Sequence, residues 1–410
     1  MFEIKPEFFK LSNGIQVVFL PNNAFVSHMG VMIHAGSRFE DHGKEGLAHF
    51  LEHCIFKGTN KRKAFDIFTD LDSVGGELNA YTNKEEICVH ASFRNNHFMI
   101  ASELLGDIIQ NANFPEEEIK KEKEVVLDEI NSFMDNPSER IFDDFESYVF
   151  KGNPLGSNIL GTNETVNKFT RDDLLSYVSR YFTPSNIVIS FVGRISLNEL
   201  IEVLERDFGS ISRKGKPKSI IDVRPFTPFK LIENKANFQT HTLIGGLAPS
   251  YNDAERRGMI LLINLLGGPA LNSRLTLLIR EKYGYAYNIE ANYTAYSDIG
   301  FWSIYMGTDK KYLKKAVNLI YDELNFICDK KLTERDIEQA KEQLKGHIAL
   351  SLDSNMELMF SLAKSIMMHG SIDSIHDIYR QLDAITMDEL ENIAKNRFSQ
   401  INLGELIYSF

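Results

Sequence analysis

Apolar and polar positions divide this chain into short strands and longer amphipathic helices. Segments 14–20, 87–93, 187–192 and 300–306 are rich in β-branched and aromatic residues and read as strands. Val31-Met32-Ile33-His34 reads as another, followed by a polar loop and then a helix around residue 49. The same order recurs later. Thr242-Leu243-Ile244-Gly245-Gly246 leads through Ser250-Tyr251-Asn252-Asp253 to the apolar run Met259-Ile260-Leu261-Leu262-Ile263-Asn264-Leu265-Leu266. Phe114-Pro115-Glu116-Glu117-Glu118-Ile119 likewise parallels Lys331-Leu332-Thr333-Glu334-Arg335-Asp336-Ile337, and each opens a long helical stretch. The chain therefore reads as two copies of one unit. Strands and helices mix within each copy. This predicts an α+β class with two homologous domains, each a largely antiparallel sheet with helices packed on one face. The domains are expected at 1–212 and 230–410. Arg213-Lys214-Gly215-Lys216-Pro217-Lys218, then Pro225 and Pro228, mark a basic, proline-interrupted join at 213–229.

A length of 410 residues suits two domains, and 43% hydrophobic with 25% charged residues describes a soluble globular chain. The net charge of −12 argues against nucleic acid as a partner. It suits basic peptides, although solubility alone accounts for it. No run of about 18 apolar residues predicts a membrane span, and the start shows no signal-peptide pattern. Three cysteines, Cys54, Cys88 and Cys328, have no metal-site spacing and are too few for a disulfide framework. A cytoplasmic location is expected.

Candidate chemistry lies in His49-Phe50-Leu51-Glu52-His53. At about 100° per helical residue, His49, Glu52 and His53 fall within an arc of about 100°. Two imidazoles can then reach one ion with a carboxylate beside it. This is H-x-x-E-H, the thermolysin-type motif in reverse order, and it points to zinc-dependent peptide hydrolysis. Paired histidines on a helix are more often structural than ligands, so the pentapeptide needs support from its surroundings.

The duplication is chemically asymmetric. The second copy has only apolar residues and Asn264 where the first has His49, Glu52 and His53. It has about Ala340 and His347 where the first has Glu122 and Glu129. A metal site is therefore expected only in the first copy. Catalytic zinc usually takes three protein ligands. The helix after Pro115 offers Glu116, Glu117, Glu118, Glu122, Glu124, Asp128 and Glu129. Its apolar stripe is Ile119, Val126, Ile130 and Phe133. With Ile119 at zero, Glu122 falls near about −60° and Glu129 near about −80°, at the edge of that stripe. Asp128, Glu117 and Glu124 point away. Geometry leaves Glu122 and Glu129 as the two candidates.

The run Gly46-Leu47-Ala48-His49-Phe50-Leu51-Glu52-His53-Cys54-Ile55-Phe56-Lys57-Gly58-Thr59 resembles the signature of the pitrilysin (M16) family of zinc peptidases. The resemblance extends over nearly the whole chain, at half the length of the long members, as in the processing-peptidase-like (M16B) type. It implies the LuxS/MPP-like metallohydrolase fold, with Glu129 as third zinc ligand and Glu122 supporting a ligand histidine. Gly75-Gly76-Glu77-Leu78-Asn79-Ala80-Tyr81-Thr82 is similar to the family's substrate-binding edge strand, which places Gly76, Asn79 and Ala80 against peptide. Taken alone, it reads as a turn and strand. Arg280-Glu281-Lys282-Tyr283-Gly284-Tyr285-Ala286-Tyr287 resembles the family's arginine–tyrosine pair, which implies that Arg280 anchors the peptide backbone and Tyr287 donates to the oxyanion. Without the resemblance, Arg280 reads as a helix-end cation and Tyr287 as a packed aromatic. Gly267-Gly268-Pro269-Ala270-Leu271-Asn272-Ser273-Arg274-Leu275 is similar to the glycine-rich loop of processing peptidases but has Pro269 in place of a small residue. It is assigned no role in the chemistry, and Cys54 reads as a core residue.

The resemblance implies a zinc endopeptidase that hydrolyses unfolded peptides in a closed chamber, with water activated by zinc and Glu52. Because this chain carries both the ligand set and the arginine–tyrosine pair, a homodimer with sites completed in trans is expected. The alternatives are a non-catalytic structural subunit of the same fold and a specific presequence-processing peptidase.

Overall fold

The computed structural model describes residues 6–223, 225–235, 238–329 and 332–410. Lys331, within the predicted repeat, and residues 1–5 lie outside the described residues. The chain opens with strands β1 (Glu7–Lys10), β2 (Gln16–Pro21) and β3 (Val26–Ile33). Helices α1 (Leu47–Ile55) and α2 (Ala64–Asp72) lead to β4 (Glu77–Thr82) and β5 (Ile87–Arg94). Five helices follow: α3 (Phe98–Asn111), α4 (Glu116–Met134), α5 (Pro137–Val149), α6 (Asn163–Lys168) and α7 (Arg171–Tyr181). Strand β6 (Ile187–Gly193) and α8 (Leu197–Phe208) close this half.

The second half repeats the sequence of elements. Strands β7 (Phe229–Asn234) and β8 (Thr240–Ala248) lead to α9 (Arg256–Gly267) and a π-helical stretch, Thr276–Lys282. Then come β9 (Ala286–Ala295) and β10 (Gly300–Thr308). Helices α10 (Lys310–Cys328), α11 (Glu334–Ser351), α12 (Asn355–His369), α13 (Ile375–Asp383) and α14 (Met387–Phe398) precede β11 (Gly404–Ser409).

Two sheets result, with strand orders β1-β2-β6-β3-β5-β4 and β7-β11-β8-β10-β9. One pair in each is parallel, β2 with β6 and β7 with β11, and the other pairs are antiparallel. This is the expected α+β class, duplicated. The strand before α1 and the strand before α9 occupy the same place in their sheets, and β4 and β9 are the matching edges.

Covering of the sheets adds a feature that periodicity did not show. On one face of the first sheet, Val31, Ile33, Ile189 and Phe191 pack with Phe50 and Leu51 of α1 and Leu104 and Leu105 of α3. On its other face, Val18, Met32, Cys88 and Val188 meet Leu358, Met359, Leu362 and Ile366 of α12. In the second sheet, Ile244, Trp302 and Ile304 pack with Leu262 of α9 and Ile320 of α10. Its other face, with Leu243, Tyr305 and Leu406, meets Ile141, Phe145 and Val149 of α5. Each sheet thus takes one helix from the opposite half of the sequence. This explains why β6 and β11 are buried at every position. Strands covered on both faces read as near-continuous apolar runs, as β6 does apart from Ser190, while β11 also buries Glu405, which pairs with Lys230.

The compact units are therefore not contiguous. One comprises the described part of Met1–Asn131 with Ser157–Ile221 and Leu350–Ser374. The other comprises Ser132–Gly156, the described part of Asp222–Ala349, and Ile375–Phe410. A division into 1–212, 213–229 and 230–410 follows the order of the chain but misplaces α5 and α12. The join is tied down at its start: the Arg213 guanidinium donates to the carbonyls of Ile109, Gln110 and Phe182.

Phe145→Ala tests this covering. The ring is fully buried, so its loss should cost about 3–5 kcal/mol in chemical denaturation. Amide protection should fall in β8, β10 and β11 while β3 and β6 remain protected. Equal loss in both sheets would contradict the assignment of α5 to the second.

Candidate metal centre and active site

Helix α1 forms because Leu47, Ala48, Phe50, Leu51, Cys54 and Ile55 are buried against the first sheet. It starts after Gly46, whose φ of 95° lies in the left-handed region that favours glycine. No residue at the helix start caps it. The carboxylate of Glu40 does so from outside, accepting from the Gly46 N–H at 2.9 Å and the Ala48 N–H at 2.7 Å. Burial pushes the Glu40 carboxyl up to about 8, against the opposing pull of these two N–H groups.

Helix α4 follows Pro115 with Glu116, Glu117 and Glu118 in its first turn, matching the helix dipole. Its buried stripe is Ile119, Val126 and Ile130, and Glu122 is buried with it. The Glu129 side chain is 43% exposed. Asp128, Glu117 and Glu124 face solvent. The packing of α4 therefore sorts its acids as helical angles predict.

The two helices bring three ligand groups together. His49, His53 and Glu129 each offer one atom, all within 4.8 Å of one another. Nε2 of His53 lies 3.4 Å and Nε2 of His49 3.7 Å from Oε2 of Glu129. Ligands about 2.1 Å from a tetrahedral ion stand about 3.4 Å apart, so the spacing suits zinc, as does the nitrogen and carboxylate donor set. Burial, with the His53 charge, lowers the His49 pKa to about 4, which keeps that imidazole neutral and able to ligate. Glu52, Glu122 and Glu129 leave an excess of negative charge that a divalent cation offsets.

Around this set, Nδ1 of His53 lies 3.3 Å from Oε2 of Glu122, and Nζ of Lys57 lies 2.7 Å from Oε1 of the same carboxylate. Glu52 is half-buried beside the ligands. Burial raises its pKa, opposed by a bond to the Thr82 hydroxyl and by His53. Neither Glu40, Lys57 nor Thr82 was singled out in the sequence. Lys57 falls four residues after His53 but beyond the end of α1, and its partner is 65 positions away, so no helical spacing links them.

Beside α1 runs β4, an edge strand that among the described residues is bonded only to β5. Gly75 enters it at φ 73°, and a Cβ on Gly76 would lie 2.6 Å from the Leu71 side chain, so both glycines are required. Asn79 is exposed and its side chain accepts from the Ala80 N–H at 2.8 Å, while Ala80 is buried. The free edge ends at Thr82, whose hydroxyl approaches the Ala48 carbonyl at 3.4 Å.

Arg280 and Tyr287 lie in the other compact unit. Arg280 sits on the π-helical stretch, a rare conformation enriched at functional positions. Tyr287 is the second residue of the edge strand β9 and is 88% exposed, rather than packed. Both line a cleft of about 240 Å³ with Gly267, Gly268, Pro269 and Asn288. The structure thus joins the arginine–tyrosine pair to the start of the 267–275 loop. Cys54 is buried, as expected of a core residue.

Residues 17–163 match the family model for insulinase (peptidase family M16), and residues 168–344 match that for the M16 inactive domain. The chain is 34% identical over 390 residues to the uncharacterized zinc protease YmxG of Bacillus subtilis, covering 95% of this chain and 94% of that protein. It is 32% identical over 403 residues to an uncharacterized zinc protease of Rickettsia felis, covering 97% and 96%. Among solved structures, a protease from Helicobacter pylori superposes with a TM-score of 0.90 at 21% identity, covering 99% of this chain and 100% of that one. A peptidase M16 inactive domain from Pseudomonas fluorescens gives 0.92 at 16% identity, covering 99% and 98%. These two similarities concern the fold.

His49 gives a pH signature in the metal-free protein. Its folded pKa, about 4, lies below the ordinary value of 6.5, so between these values the unfolded chain binds the proton more readily. The stabilising difference is full above that window and is lost as pH falls through it, by up to about 3 kcal/mol. His49→Gln should therefore lose less stability than the parent when urea denaturation is repeated from pH 6.5 down to 4. Identical acid losses would show that His49 is not held neutral by burial.

Proposed function

The chain belongs to the M16 peptidase family, and from that premise we propose that it is a zinc-dependent endopeptidase acting on unfolded peptides within a closed chamber. The observation that carries this reading is the convergence of His49, His53 and Glu129 within 4.8 Å, with Glu52 on the same helix. A non-catalytic relative of the fold has no need of a complete ligand set with a carboxylate beside it.

His49, His53 and Glu129 would hold the zinc. When bound, zinc supplies Lewis acidity, which makes water a stronger acid and a carbonyl a better electrophile. Glu52 accepts a proton from the attacking water at its carboxylate and delivers it to the leaving amine nitrogen. The raised pKa that burial gives Glu52 suits this exchange, because a carboxyl nearer the working pH can both take and return a proton. The unpaired side of β4, from Gly76 through Asn79 and Ala80, receives an extended peptide as an added strand. Main-chain bonding gives affinity with little sequence preference. Arg280 holds the peptide backbone, and the exposed Tyr287 phenol donates to the oxygen of the tetrahedral centre.

We further propose that the protein works as a homodimer in which Arg280 and Tyr287 of one copy serve the ligand set of the other. Mixing inactive His49→Ala and Arg280→Ala proteins under subunit exchange should restore activity, since each mixed dimer regains one intact site. Verified exchange without activity excludes the trans arrangement.

For the chemistry itself, a quenched unfolded peptide should be cleaved by the zinc-loaded parent. Glu52→Gln should bind zinc normally and lose about 10²–10⁴-fold in kcat. A variant that keeps full activity removes Glu52 from the reaction. A parent inactive on a broad peptide panel favours the structural-subunit reading.

A further inference from the structure

We propose that Lys57 is a positioning residue of the metal centre, fixing the orientation of His53 through Glu122. The inference rests on reading His49, His53 and Glu129 as the zinc-holding set. A ligating imidazole usually donates its second N–H to an acceptor, which fixes the ring and strengthens it as a donor. Here that support is unequal. Nδ1 of His49 is buried with no hydrogen-bond partner among the described residues. Nδ1 of His53 faces Oε2 of Glu122 at 3.3 Å. Glu122 thus orients His53, the one ring of the two with such a partner among the described residues.

Glu122 cannot do this alone. Its side chain is only 9% exposed, and a buried carboxylate is costly unless paired. Lys57 supplies the pair, with Nζ 2.7 Å from Oε1. The two oxygens have divided duties: Oε1 is anchored by the ammonium, and this aims Oε2 at the imidazole. Lys57 is itself held. Its backbone N–H donates to the Cys54 carbonyl at 3.1 Å in the turn that ends α1. Its ammonium lies 5.8 Å from the ring centre of Phe68 on α2, which in turn contacts Phe56. The chain running out of α1 therefore returns a cation to the acid behind its own histidine. Removing the cation frees the carboxylate to turn away, and His53 loses the acceptor that orders it.

Zinc affinity, measured on the full chain by competition with a chromophoric chelator, tests this without reference to catalysis. Lys57→Met keeps the stem and removes the charge, and should weaken zinc binding by about tenfold or more. Lys57→Arg should recover most of the loss. Glu122→Gln should weaken binding comparably, and the Lys57→Met/Glu122→Gln double variant should be no weaker than Glu122→Gln alone, because the two residues act in series. Thermal unfolding of the metal-free variants accompanies each measurement. The inference is overturned if Lys57→Met binds zinc like the parent, if its loss adds in full to that of Glu122→Gln, or if Lys57→Arg recovers nothing. Failure of the underlying site is separate: it would appear as His49→Ala binding zinc as tightly as the parent.

Discussion

Everything at this site depends on keeping two imidazoles and three carboxylates close together at the meeting of α1 and α4. Placed there without compensation, such groups would repel or remain underhydrated. The surroundings meet that demand group by group. Burial keeps His49 neutral, Lys57 balances Glu122, and Glu122 accepts from His53. Glu129 stays partly exposed and keeps access to water. The remaining negative charge is what makes the cluster suited to a dication.

The architecture supports this cluster from both sides. Helix α1 is pinned below by the apolar core and above by the Glu40 carboxylate at its first turn. The sheet beneath it is stiffened by α12 on its opposite face. Edge strand β4 is left unpaired along one side while its own helix contacts hold it in place. An open sheet edge next to a helix that carries candidate metal ligands suits the proposed binding of an extended chain.

Duplication explains the division of roles. Strands β3 and β8, helices α1 and α9, and edges β4 and β9 hold equivalent places in their sheets. Where α1 carries its histidines and Glu52, α9 has apolar residues and Asn264, and most of its residues are buried, among them Leu261, Leu262 and Leu266. The π-helical stretch and β9 turn instead to the surface, presenting Arg280 and Tyr287 beside the glycine-containing loop. The first copy carries the candidate ligand cluster, and the second presents polar groups with no such cluster among the described residues.

The sequence by itself determined many of the elements and most of the candidate ligand cluster. Period-two and period-3.6 patterns located β2, β3, β5, β6, β8 and β10, the two helices that carry the candidate ligands and the repeat, because each reports on burial within a single element, but they did not mark β1, β7, β9 or β11. H-x-x-E-H placed three groups on one face, and helical angles reduced the acids of α4 to Glu122 and Glu129. Resemblance to a family was needed to choose between those two, because both lie at the edge of the same stripe. Tertiary structure alone decided what depends on residues distant in the chain. The exchange of α5 and α12 between sheets is invisible to periodicity, since an amphipathic stripe records that a face is covered but not by which partner. The Glu40 cap on α1 and the Lys57–Glu122 pair behind His53 likewise follow from contacts across many residues. Hydrogen bonds and ion pairs act over a few ångströms of space, and only the folded chain brings those atoms within reach.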